Sequence, residues 1–160
     1  MSDASVFRRS ETPLSHAVYG LIIALATVGE LLNHEASAGH SVGWLLGAGL
    51  VLFAAHVFSD LLAQTAAERD DPDWREMLTV GRAELAVLTG FVGAAAIMLF
   101  AEIADLDSRN ALLVCLALGL IAVAALAYYA TAHHRPVVRV SMAVIAAALG
   151  LVIVVLENIV

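Results

Sequence analysis

The stretch "VGWLLGAGLVLFAAHVFSDLLAQ", residues 42–64, is apolar over 23 positions apart from a few polar side chains, of which only His56 and Asp60 are ionisable. A lipid core about 30 Å thick is crossed by about 20 residues of helix rising about 1.5 Å each. The run therefore has membrane length. A backbone in hydrocarbon must satisfy its own polar groups, so a segment of this kind is a helix. Membrane barrels use shorter strands of alternating polarity, and this run does not alternate.

Four further runs read the same way: Leu14–Asn33, Ala83–Ala104, Ala111–Ala132 and Val138–Ile159. The 160 residues are 61% hydrophobic and 14% charged, with a mean hydropathy of +0.89. A soluble domain carries about 25% charged residues, so the composition excludes one. The expected fold is all-α, a polytopic bundle of five transmembrane helices forming a single membrane domain over residues 1–160. Arg8 and Arg9 precede the first run, and Ala36-Ser37-Ala38 has the small-residue pattern of a signal cleavage site. The run is longer than a signal h-region, so it is read as a true span.

The formal net charge is −7 and all eight basic residues are arginine. Without a basic cluster, nucleic acid is excluded as a partner. The absence of lysine fits a GC-rich bacterial genome and hence a bacterial inner membrane. Seven arginines fall in the N-terminal tail and the second and fourth loops, and one, Arg109, in the third. The positive-inside rule then predicts a cytoplasmic N-terminus and an outer C-terminus. Asp71-Pro72 reads as the start of the third helix and Asp107-Ser108 as that of the fourth, and Pro136 breaks the chain before the fifth. The pairs Gly43/Gly47, Gly90/Ala94 and Ala146/Gly150 are expected to let helices of one chain approach closely. No repeat of 20–50 residues is evident. The lone Cys115 reads as an apolar filler.

Function must reside in the few polar groups at membrane depth, which are costly there and usually face partners or water. In the first helix His16, Gly20, Thr27, Glu30 and His34 follow one stripe, and in the second His56, Asp60 and Gln64 share a face. His16, His56, Asp60 and Glu84 fall in the predicted inner half. Glu30, His34, Glu102 and Glu157 fall in the outer half, beyond a nearly apolar belt. Asp60 is expected roughly 12 Å from the midplane. Glu84, Glu102 and Glu157 are expected to be solvated near the interfaces, and His16 to be interfacial as well. Tyr128 and Tyr129 read as an aromatic belt.

His56 and Asp60, four residues apart, present an imidazole and a carboxylate on one helix face. Such a pair either relays protons or, with further ligands, binds Zn²⁺ or another divalent cation. It is alternatively a mutually hydrogen-bonded structural pair. "AAHVFSDLL", residues 54–62, resembles the second membrane helix of the cation diffusion facilitator family. That resemblance implies that His56 and Asp60 are zinc ligands. The family has six membrane helices, a second ligand pair on its fifth and a cytoplasmic C-terminal domain. This chain has five apolar runs and no second His-x-x-x-Asp pair.

The expected function is a small cation channel or transporter, homo-oligomeric in the bilayer, for protons or a divalent metal. Embedded acids outnumber embedded bases, which suits cations. Its ion-binding or proton-relay residues would be His56, Asp60, Glu30, His34 and His16. The other reading is a non-transporting accessory subunit of a membrane complex. An enzyme is not expected: there is no serine–lysine pair, no His-Glu-x-x-His and no glycine-rich phosphate loop.

Overall fold

The computed structural model describes residues 13–68 and 74–157. It contains α1 (Pro13–Asn33), α2 (Ala38–Glu68), α3 (Trp74–Glu84), a 3₁₀ stretch (Leu85–Leu88), α4 (Thr89–Ile103), α5 (Ser108–Ala130) and α6 (Pro136–Glu157). There is no strand among the described residues. Five segments have the length and apolarity to cross a membrane: Leu14–Asn33, Ala38–Ala63, Leu78–Ile103, Ser108–Ala130 and Pro136–Val155. The third joins the end of α3, the 3₁₀ stretch and α4. Each of the five sequence-based runs falls on one of these segments, although the second begins earlier, at Ala38, and the third at Leu78; the Asp107-Ser108 and Pro136 starts coincide with those of α5 and α6. Arg8, Arg9, Arg69 and the Asp71-Pro72 start lie outside the described residues.

α1 is the central helix and touches every other one; 39% of its span is buried, against 6% for α6. α2 packs mainly on α4, and α5 packs on α1 and α6. The core is made by Leu25, Val28, Leu45, Phe91, Met98 and Leu112, all almost fully buried.

Two glycines permit the tightest crossing. A Cβ on Gly20 would overlap the Val87 carbonyl oxygen, and one on Gly90 would stand 2.7 Å from the Leu21 Cα. Here α1 and the third span meet backbone to backbone, the use of small residues expected in lipid. Gly150 also faces a neighbour, Leu120. Gly43 and Gly47 do not: a Cβ on either would meet nothing within 4 Å. The expected intramolecular packing of that pair is thus corrected, because α2 turns this face outward and presents Gly49 to Phe91 instead.

The turns after α1 and α4 are built alike. Glu35 (φ 48°) and Asp105 (φ 52°) take the left-handed conformation, and Ala36 N–H donates to the Leu31 carbonyl as Leu106 N–H does to Ala101. This is the Schellman helix end. Ser37 and Asp107 then cap the next helix, their side chains accepting from the N–H groups of His40 and Asn110. These residues are paired at an interval of 70, as are Gly20 with Gly90 and Gly49 with Gly119. The hairpins α1–α2 and α4–α5 are therefore a structural repeat running in the same direction, with α1 and α4 in contact. At 70 residues the repeat lies outside the shorter periods scanned in the sequence. Few side chains are shared beyond the turns and glycines.

Candidate polar site between α1, α2 and α3

Glu84 is the most deeply buried carboxylate among the described residues, with 1% exposure, and His16 is buried as well, at 8%. The expected solvation of Glu84 is corrected here. Glu84 ends α3, and the third span begins a turn or more before it, at Leu78. It precedes Val87, Phe91 and Met98 by three, seven and fourteen residues, so it shares their inward face. His16 lies one turn before Gly20, where α1 presses on the 3₁₀ stretch. His16 Nδ1 stands 3.0 Å from Glu84 Oε1, an ion-pair distance without the alignment of a hydrogen bond.

α2 completes the cluster. Asp60 and His56 approach from this helix to within electrostatic range of Glu84. The His56 ring centroid is 6.2 Å from that of His16 and 5.1 Å from that of Tyr19. His56 Nδ1 lies 3.1 Å from the Leu52 carbonyl oxygen. A carbonyl only accepts, so Nδ1 carries the hydrogen and Nε2 remains for a second partner or proton. His56 is thus tied to its own helix backbone, and no His56–Asp60 hydrogen bond occurs among the described residues. Asp60 and His56 are half-buried, so the cluster runs from a sealed carboxylate to a partly open rim.

The repeat gives an internal comparison. The counterparts of His16, His56 and Asp60 at the 70-residue interval are Ala86, Leu126 and Ala130. The first hairpin carries both histidines and Asp60 where the second is apolar, and Glu84, from the third span, stands where the first repeat has Leu14.

The stripe on α1 does not make one site. Glu30 and His34 sit near the other end of the helix, where Glu30 Oε1 accepts from His34 Nε2 at 2.7 Å. Both are well exposed and line a groove between α1 and α2. Glu102 is exposed, as expected, and accepts from the Gly39 N–H at 3.0 Å, which ties α4 to the start of α2. At the cluster end, Tyr128 lies 4.0 Å beneath the Arg139 guanidinium carbon and Tyr129 is exposed. The side chains of Gln64 and Glu157 are outside the described set.

Among the described residues, no three His, Cys, Asp or Glu side chains are arranged to hold a metal ion. Comparison with protein-family models, curated proteins and solved structures finds no match. The likeness to the cation diffusion facilitators stays confined to residues 54–62.

Proposed function

We propose that this membrane protein moves protons, with His16, Glu84, His56 and Asp60 as the proton-binding site. The observation that carries this is the burial of Glu84 against His16, with a second acid and a second histidine approaching from α2. Two carboxyls and two imidazoles at one end of an apolar bundle hold a variable number of protons with little movement of heavy atoms. Glu84 and His16 form the sealed member of the site. Asp60 and the Nε2 edge of His56 exchange protons with the surroundings.

Beyond the cluster, Leu25, Val28, Phe91 and Met98 fill the middle of the chain. No polar side chain of the cluster reaches through that layer. The reading therefore includes assembly of several copies, which would complete the path beside the half-buried rim on α2. It also includes the orientation from the arginine distribution, with the cluster end in the cytoplasm of a bacterial inner membrane.

The accessory-subunit reading draws on that same filled core, because a cluster sealed at one end also fixes helix register. Proteoliposome flux separates the two. Protons, K⁺, Na⁺ and Zn²⁺ are supplied separately to wild type, Asp60→Asn and Glu84→Gln, with folding checked by size exclusion. Proton flux in the wild type and its loss in folded variants support the proposal. No flux from well-folded wild type rejects it and leaves the accessory role.

A further inference from the structure

At the end of the bundle opposite the cluster, two related grooves open on the two hairpins. The first, between α1 and α2, is lined by Thr27, Glu30, Leu31, Ala36, Ser37, His40 and Trp44 among others, with a volume of about 810 Å³. The second is lined by Ile97, Phe100, Ala101, Leu106, Asp107, Asn110 and Val114 among others, with a volume of about 300 Å³. Each residue of the second set lies 70 positions after its counterpart in the first. The same backbone frame thus encloses the smaller space in the hairpin that carries Phe100 and Leu106, and the larger in the other. The open copy is also the polar one, with Glu30 in place of the phenylalanine.

The open groove is amphipathic along its length. Glu30, His34, Ser37 and His40 stand toward the turn, and Ile23, Ala26 and Ala48 lie deeper. It continues along α2 past Gly43, Gly47 and Val51, where the two glycines leave a track with nothing packed on it. An acyl chain fits such a track, and a groove that opens sideways from a membrane span is surrounded by lipid. The charge at this end selects the headgroup. Among the described residues it carries Glu30, Glu35, Glu102, Asp105 and Asp107 against Arg109 alone. A carboxylate has about four acceptor positions, of which His34 occupies one on Glu30. Ser37 and the imidazoles supply donors for a phosphate.

We propose that this groove is a binding site for a phospholipid with an ammonium headgroup. The amine sits on the Glu30 carboxylate, the phosphate at Ser37 and His40, and one chain runs along Gly43 and Gly47. The proposal is independent of proton movement at the other end.

Trp44 lines the groove, and the only other tryptophan is Trp74. A Trp74→Phe protein therefore carries its one indole at the groove, and the difference between two lipids at equal mole fraction separates the groove from the surrounding bilayer. It is reconstituted in bilayers containing chain-brominated phosphatidylethanolamine or chain-brominated phosphatidylglycerol at equal mole fraction. The ethanolamine lipid is expected to quench Trp44 severalfold more strongly at low mole fraction. Glu30→Gln should bring the two lipids level. Glu30→Phe copies the narrower hairpin and should remove the preference for the ethanolamine lipid. Equal quenching by the two lipids in the Trp74→Phe protein overturns the proposal, as does a preference that survives Glu30→Gln.

Discussion

Replacing His16 by phenylalanine and Glu84 by leucine, singly and together, tests whether the buried pair serves stability or chemistry. At the observed separation of 3.0 Å, an effective dielectric of about 20 gives an attraction of about 5–6 kcal/mol between full charges. Desolvation opposes it by several kcal/mol per ion, so the net contribution of the pair is small. Removing one member leaves the other buried without its counter-charge, and each single variant should lose about 3–5 kcal/mol. Removing both leaves an apolar contact of similar volume. The double variant should match the wild type or exceed it by about 1–4 kcal/mol. The assay is reversible unfolding in mixed micelles by denaturing detergent, read by circular dichroism, alongside proton flux in proteoliposomes. The expected pattern is a stable double variant that moves no protons. Single effects that add to the double within about 0.5 kcal/mol would show that His16 and Glu84 do not interact, and the reasoning would fail. A stable double variant with unchanged flux would remove the pair from the mechanism.

Gly20→Ala places a methyl on the Val87 carbonyl and should lose about 1–3 kcal/mol, whereas Gly43→Ala meets open space and should stay within about 0.5 kcal/mol of wild type; the same unfolding assay measures both. Asp107→Ala removes the acceptor for the Asn110 N–H, 3.1 Å away, and should lose about 1 kcal/mol and fray the start of α5 in hydrogen exchange. Cys115 is buried, so maleimide should label it only after unfolding, in step with the loss of helical signal. Labelling of the folded protein at the rate of a free thiol would contradict the packing of α5 on α1.

The membrane helices could be read directly from the chain because their signal is local. A run such as residues 42–64 has one stable backbone solution in lipid, whatever its neighbours do. The start of α5 was equally legible, since Asp107 caps through an atom three residues away. That Glu30 and His34 share one stripe of α1 followed from spacing alone, and the structure adds the hydrogen bond between them. Glu84 did not. Its distance from Phe91 and Met98 marked the inward face, but a carboxylate near a span boundary is also compatible with solvation. Only the packing of α1 against the 3₁₀ stretch decides between them. The mutual pairing weighed for His56 and Asp60 failed for a related reason. Four-residue spacing permits the contact, but the Leu52 carbonyl, one turn earlier on the same helix, takes the imidazole instead. The outward face of Gly43 and the 70-residue repeat likewise required the neighbours to be in place. Composition and spacing thus determined that the chain forms five apolar helices and where they turn, because lipid makes those choices residue by residue. Which polar groups are sealed, which meet and which groove stays open were decided by tertiary structure, because these depend on side chains distant in sequence competing for the same space.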